Sequence, residues 1–126
     1  IQLLSLQPGV VIMQLEKSGD LLQQQGFMHG GVLTAGLDSA CGFAALTLSA
    51  PSVEVLSIEF KTSFFRPVTT DKVQVFGRVI KAGKRVSFCE AEAFSLEDDD
   101  QILLAKMSSS VAMVDMPEGW VPENRS

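Results

Sequence analysis

A long apolar segment constrains this chain more than any other feature. Asp38 is the only acidic or basic side chain between His29 and Glu54, and the residues around it are mainly Val, Leu, Ala, Gly, Phe and Cys. The segment has the length of a helix, and Pro51 follows it, which indicates where the helix stops. A helix that is apolar nearly all round is buried. We therefore predict a buried helix from Gly30 to about Leu48 that other elements must cover on several sides.

Asp38 and the start of this helix form the first candidate functional site. A carboxylate is costly to bury unless it is paired or neutralised, so Asp38 is a candidate functional residue. At the predicted helix start, Gly30 and Gly31 leave backbone N–H groups that a ligand can approach closely and that favour negative charge. An acid or base eight residues after such an oxyanion-binding turn indicates acyl-transfer chemistry.

The remaining sequence has the period-two alternation of β-strands. In the first strand after the helix, Leu56, Ile58 and Phe60 are expected on one face, opposite Ser57. The predicted strands are Gly9–Lys17, Val53–Phe64, Val73–Ile80, Val86–Leu96 and Ile102–Val114. One strand, a buried helix and four consecutive antiparallel strands predict an α+β fold in which one strongly curved sheet wraps around the helix.

The chain is expected to be one domain over residues 1–126, with residues 1–8 and 115–126 as peripheral arms. A length of 126 residues is enough to bury a real core. An open sheet of about five strands has two edges, so dimerisation by extension of the sheet is expected.

Composition excludes several classes of function. The net charge of −5 argues against a nucleic-acid binder, and no stretch is long and apolar enough for a membrane span. We expect no signal peptide, because no cationic leader precedes an apolar segment. Cys41 and Cys89 lack metal-ligand spacing and predict buried free thiols, which are typical of a reducing, cytoplasmic location. No cluster of His, Cys and carboxylates indicates a metal site.

Two short motifs carry a resemblance to a known family. Residues 23–31 read QQQGFMHGG, and residues 37–40 read LDSA. The ordered set resembles the hotdog-fold acyl-CoA thioesterases, and within them the phenylacetate-degradation type. Gly26 lies three residues before His29, and Asp38 lies eight after Gly30, as in that family. Residues 56–60, 64–67 and 81–88 also resemble family strands, so the resemblance extends roughly from Gly9 to Val114.

The resemblance implies a mechanism as well as a curved sheet around one helix. The Gly30 N–H and the Gln23 amide would polarise the thioester carbonyl. Asp38 of the other subunit would act as general base or as nucleophile. His29 would shape the turn, and Ser57 holds the position of a hydroxyl that helps to place water. Gln23 departs from the Asn of many relatives, and its longer side chain must approach the carbonyl differently.

Each of these residues also has a structural interpretation. Asp38 could cap backbone groups or form an ion pair, and Ser57 could be an ordinary hydroxyl on a strand face. His29 could simply occupy a helix start. Cys41 lies one turn from Asp38, but the sequence contains no second His to activate it as a nucleophile, so packing is the expected role.

A short basic hairpin is the candidate site for the coenzyme A phosphates. Of the ten Lys and Arg residues, three lie between Lys81 and Arg85, and the third is Lys84. Together with Gly83 and with Arg66, they could hold phosphates through charge-assisted hydrogen bonds. The alternative is an ordinary solvated hairpin. No further cofactor is expected, because coenzyme A belongs to the substrate.

Three functions therefore remain open at this stage. The leading one is an acyl-CoA thioesterase that works as a homodimer, assembled further into a dimer of dimers. The alternatives are a thioesterase for acyl-carrier-protein substrates and a non-catalytic acyl-CoA-binding module. A hydratase is not favoured, because no His follows Asp38. Several aromatic side chains could line a pocket for either an aromatic or a medium-chain acyl group: Phe27, Phe43, Phe64 and Phe65.

Overall fold

The computed structural model describes residues 2–16, 30–70, 72–97 and 100–117. The elements in chain order are β1 (Gln2–Gln7), β2 (Val10–Glu16), α1 (Gly30–Leu46), β3 (Val53–Phe64), β4 (Lys72–Lys81), β5 (Val86–Glu97) and β6 (Asp100–Asp115). All the strands of the described chain join one antiparallel sheet in the order β1-β2-β4-β5-β6-β3. The predicted α+β fold, a curved sheet around a single helix, is confirmed.

The core lies between one face of α1 and the sheet. The buried residues of α1 recur at the three- and four-residue spacing of a helix face: Leu33, Gly36, Leu37, Ala40, Cys41, Ala44 and Ala45. They pack against alternate residues of the strands, including Val11, Met13 and Leu15 of β2, which are 0–2% exposed. On the opposite face of α1, Ala35 and Phe43 are exposed.

The helix and the sheet approach most closely at Gly77 of β4. A Cβ atom on Gly77 would lie 2.5 Å from the carbonyl oxygen of Ala40. No side chain fits there without moving the backbone, so glycine at this position sets the spacing between α1 and the sheet. Leu15 packs against the same helix beside Gly36, where a Cβ would lie 2.8 Å from the Leu15 Cδ1 atom.

The N-terminal segment forms a strand, although the sequence analysis predicts a peripheral arm there. Residues 1–8 were expected to be a peripheral arm, but Gln2–Gln7 forms the edge strand β1, paired with β2. Gly9, with a φ of 78°, makes the tight turn between these strands, and its N–H donates to Thr47 Oγ1 at 2.7 Å. The pairing is hard to read from the sequence because its register shifts between Leu3 and Ser5, which removes a regular alternation.

The side chains of strand β3 do not follow the predicted alternation between the two faces of the sheet. The alternation predicts Leu56, Ile58 and Phe60 on one face, opposite Ser57. The register with β6 shifts between Ser57 and Glu59, so that Ile58 is an extra residue in a β-bulge. Ser57 pairs with Val111, and Phe60 pairs with Ser109, both buried on the helix side. The bulge therefore turns Ser57 and Phe60 toward the same face.

The free edge of β3 is apolar. Leu56, Ile58, Phe60 and Phe64 are 47–66% exposed, and among the described strands β3 has one hydrogen-bonded neighbour, β6. Exposed apolar edges of this kind pair readily with another strand. In the part of the chain that the structure describes, no helix combines the length and the apolar character needed to cross a bilayer.

Candidate active site

Helix α1 runs antiparallel to β3 and places Asp38 beside the middle of that strand. The Phe64 ring, at the end of β3, lies about one van der Waals contact from Gly30, the first residue of α1. Val55, near the start of β3, lies beside Gly42. Asp38, between these two points, faces Ser57 and is partly buried.

Asp38 and Ser57 form the only side-chain hydrogen bond that the described residues show for this carboxylate. The Ser57 hydroxyl donates to Asp38 Oδ1 over 2.5 Å. This is a short O–H···O hydrogen bond. The bond fixes the orientation of the carboxylate and leaves its second oxygen for another partner. The structure thus brings together two residues that lie nineteen positions apart in the sequence.

The Asp38 carboxylate lies in a groove of about 400 Å³ between α1 and the edge of β3. Its volume is in the range of small-molecule sites. Just over half of the lining residues are apolar, and the Asp38–Ser57 pair is among the polar ones. The lining residues are Asp38, Ser39, Gly42, Phe43 and Leu46 of α1 and Glu54, Val55, Leu56 and Ser57 of β3.

Two of the predicted site residues cannot be placed with this pair. Gln23 and His29, together with Gly26 of the same motif, lie outside the described residues. Gly30 is described and begins α1, where its N–H is not needed for the helix ladder. The oxyanion-binding role of this turn stays a prediction.

The separation of Gly30 and Asp38 limits how one chain can use both. They are eight residues apart in one helix, which places them roughly 12 Å apart along its axis. A thioester carbonyl carbon and its oxygen are joined by a single bond. The N–H of Gly30 and the carboxylate of Asp38 therefore cannot both contact one carbonyl group from the same chain.

The phenylalanines that were predicted to line the acyl pocket do not lie together. Phe43 lines the groove, Phe64 lies beside Gly30, and Phe65 is 52% exposed. Phe27 lies outside the described residues. The sequence analysis missed Gly42 and Leu46 as lining residues, although the position of Gly42 inside an apolar helix offered a signal, since glycine is unfavourable there.

The two cysteines are free and buried, as predicted. Burial, with smaller contributions from the charges of Cys89, Asp38 and Glu90, raises the pKa of the Cys41 thiol to about 12. Burial alone raises the pKa of the Cys89 thiol to about 11. Both thiols are therefore protonated near neutral pH, which removes Cys41 as a nucleophile. Across the described residues, no group of three or more His, Cys and carboxylate side chains is placed to hold a metal ion.

The basic residues predicted to hold phosphates do not form one cluster. Arg66 Nη1 donates to the Leu103 carbonyl at 2.7 Å, and the Arg66 N–H donates to Leu104. The Arg85 carbonyl instead accepts from the Met113 N–H at 2.7 Å. Leu104 and Met113 are nine residues apart on β6, which is roughly 30 Å. Arg66 and the hairpin therefore lie at opposite ends of the sheet.

The hairpin itself lies at the C-terminal end of α1. Lys81, Lys84 and Arg85 are exposed there. A Cβ atom on Gly83 would collide with the Val86 carbonyl oxygen, and the Gly83 N–H donates to Ser87 Oγ at 3.3 Å. The tight turn thus accounts for Gly83 without a bound phosphate.

Comparison with known proteins identifies the family. Residues 25–102 match the family described as the Thioesterase superfamily, which is more than half of the chain. The chain belongs to the thioesterase superfamily. The matched range includes residues 25–31, which read QGFMHGG, as well as Asp38 and Ser57, and the family indicates a thioesterase-type hydrolase.

Individual members of the superfamily and solved structures agree with this assignment. A thioesterase family protein from Silicibacter pomeroyi has 31% sequence identity and a TM-score of 0.86, with 90% of this chain and 84% of that chain covered. A proposed esterase of Saccharolobus solfataricus is 26% identical over 87% of this chain and 76% of its own length. A Streptococcus mutans protein shares the fold at a TM-score of 0.78 and 16% identity, over 91% and 89% of the two chains. The fold is the hotdog fold of thioesterases.

Proposed function

We propose that this protein is an acyl-CoA thioesterase that hydrolyses a thioester to a free carboxylic acid and coenzyme A. The observation that carries the proposal is the 2.5 Å hydrogen bond between Ser57 and Asp38 at the side of an apolar groove. A fixed carboxylate beside space for an acyl group is what thioester hydrolysis requires. The resemblance to the phenylacetate-degradation type belongs to this proposal.

The proposed chemistry centres on Asp38. As a general base it takes a proton from water while the water oxygen attacks the carbonyl carbon. The C–S bond then breaks, and the coenzyme A thiolate leaves and accepts a proton. As a nucleophile Asp38 instead forms a mixed anhydride, which water hydrolyses. Both routes need an ionised carboxylate, and in both Ser57 acts as the positioning residue that orients it or the attacking water.

The oxyanion that develops in either route needs hydrogen-bond donors. We assign this role to the Gly30 N–H and the Gln23 amide, with His29 shaping the turn. Because Gly30 and Asp38 of one chain are roughly 12 Å apart, the donors and the carboxylate come from two chains. The proposed active unit is therefore a homodimer joined through the apolar edge of β3, and the dimer of dimers remains part of the proposal.

The coenzyme phosphates need exposed positive charge. Basic side chains are exposed at two opposite ends of the sheet. One is Arg66, and the other is the hairpin with Lys81, Lys84 and Arg85. The Streptococcus mutans protein of the same fold has a crystal structure with acetyl-CoA bound, which supports a coenzyme A substrate here. A cytoplasmic location stays a prediction that fits this substrate and the free thiols.

Two alternatives are separated from the main proposal by one experiment. The purified protein is offered aromatic and straight-chain acyl-CoAs, with matched acyl-carrier-protein thioesters, while a thiol reagent detects product. We expect hydrolysis of acyl-CoAs that is lost in Asp38→Asn. Activity on carrier-protein thioesters alone would assign that substrate instead. Tight binding of acyl-CoA without any turnover would show a non-catalytic binding module.

A further inference from the structure

Gly42 differs from Gly36 and Gly77 in that close packing does not explain the absence of its side chain. Packing explains Gly36 and Gly77, where a Cβ would lie only 2.8 Å from Leu15 Cδ1 and 2.5 Å from the Ala40 carbonyl oxygen. At Gly42 the nearest described atom to such a Cβ is Val55 Cγ2, at 3.5 Å. That is an ordinary van der Waals contact, so the described residues leave room for alanine. Glycine is nevertheless less favourable than alanine inside a helix.

The space beside Gly42 lies within the groove that contains Asp38. Gly42 lines the groove and follows Asp38 by four residues, so both lie on one helix face, roughly 6 Å apart along the axis. Phe43 and Leu46 form the apolar wall next to it. Among the described residues, the groove is thus wide one helical turn from the carboxylate that acts on the carbonyl.

We propose that Gly42 is a specificity-determining residue that admits acyl groups which are broad close to the carbonyl, such as an aromatic ring. The proposal rests on the thioesterase function proposed above and names the substrate class of that site. A ring attached at or next to the carbonyl reaches about one helical turn from Asp38, where the missing side chain leaves space. The ring of Phe43, which lines the groove, offers an aromatic partner in edge or offset geometry. A straight chain does not need this width.

The test compares two acyl groups of equal carbon number, phenylacetyl-CoA and octanoyl-CoA. We expect the wild-type protein to have the higher kcat/KM with phenylacetyl-CoA. Gly42→Ala should lower the ratio of the two kcat/KM values about tenfold, since one added carbon in a pocket changes discrimination by that order. The same variant should raise Tm by about 3 °C, because alanine stabilises a helix and meets no clash.

Gly36→Ala is the matched control in the same helix. It makes the same chemical change outside the groove and should lower Tm, because Leu15 must move, while leaving the ratio of the two substrates unchanged. An unchanged substrate ratio in Gly42→Ala would overturn the proposal. So would a fall in its Tm like that of Gly36→Ala, because Gly42 would then be a packing glycine.

A binding readout separates this inference from the proposed function. Non-hydrolysable thioether analogues with the same two acyl groups are titrated by calorimetry against wild type and Gly42→Ala. A shift in the ratio of their Kd values supports the role of Gly42 even if no thioester is turned over, and absent turnover then counts only against the catalytic proposal. Equal Kd ratios in the two proteins would reject the role of Gly42.

Discussion

At the scale of single residues, the chemistry depends on how Asp38 is held. The carboxylate is partly buried in α1, and its one described side-chain partner is the Ser57 hydroxyl. A hydrogen bond to a charged group contributes more than one between neutral groups, and it also fixes direction. Ser57 therefore makes a flexible acid into an oriented one, which is the requirement for a base or a nucleophile acting on a bound carbonyl.

Replacing Asp38 by Asn should lower kcat about a thousandfold, the usual loss when a general base is removed. Asn keeps the shape and can still bond Ser57, so circular dichroism and the elution volume on gel filtration should not change. Ser57→Ala, which removes only the orienting hydroxyl, should cost about tenfold. Near wild-type turnover in Asp38→Asn would remove this residue from the mechanism.

The thiols should be inert in the folded protein. Because burial raises the pKa of Cys41 to about 12 and that of Cys89 to about 11, neither forms a thiolate at pH 8. We expect a disulfide reagent to label no buried thiol in buffer and both thiols in guanidinium chloride, and iodoacetamide to leave hydrolysis unaffected. Rapid labelling of Cys41 with loss of activity would contradict this prediction and support Cys41 as a catalytic nucleophile.

At the scale of elements, the sheet separates the two candidate phosphate sites. Arg66 follows β3 near the start of α1, whereas the hairpin of Lys81, Lys84 and Arg85 lies near its end. The groove leads from Asp38 toward Leu46, which is the direction of the hairpin. If the acyl group occupies that groove, the pantetheine arm must leave the site another way, which favours the end at which Arg66 lies.

Removing Arg66 should therefore raise KM for acyl-CoA several-fold with little change in kcat, because phosphate contacts are equally strong before and in the transition state. The effect should shrink at high salt. Arg66→Lys, which keeps the charge, should restore much of the loss. An acyl-N-acetylcysteamine thioester lacks the phosphates and should be unaffected.

The double variant Lys84→Ala, Arg85→Ala is the comparison. If it raises KM for acyl-CoA and spares the N-acetylcysteamine thioester, while Arg66→Ala changes neither, the hairpin holds the coenzyme. Equal losses on both substrates would show that the variant residues act on stability or on the acyl site.

At the scale of the whole molecule, the described part of the chain exposes two apolar surfaces. One is the edge of β3, and the other is the face of α1 that carries Ala35 and Phe43. Both surfaces lie next to the groove that contains Asp38. A second copy that extends the sheet at β3 would cover them and would bring its own Gly30 toward Asp38.

Complementation tests this shared site. Gln23→Ala and Asp38→Ala proteins should each be nearly inactive, and their equimolar mixture should regain up to about one quarter of the wild-type activity per chain, because about half of the dimers are mixed and one of the two sites in each mixed dimer carries both residues. Subunit exchange is followed with differently tagged chains. Exchange without any recovery of activity would place the whole site within one chain.

Local sequence determined much of this protein. The apolar run with one carboxylate predicts α1 and the candidate Asp38, and period-two alternation predicts five of the strands, because both patterns follow from the geometry of a single element. The motif around Gly30 indicated the family before any coordinates. These features depend on neighbours within a few residues.

Tertiary structure alone decided the rest. The bulge at Ile58 exists only in the pairing of β3 with β6, and it turns Phe60 to the face of Ser57 against the simple alternation. The distance between Arg66 and the hairpin depends on where β6 runs, and the width of the groove at Gly42 depends on how α1 seats on β3. Such properties arise from contacts between residues far apart in the chain, which no local period encodes.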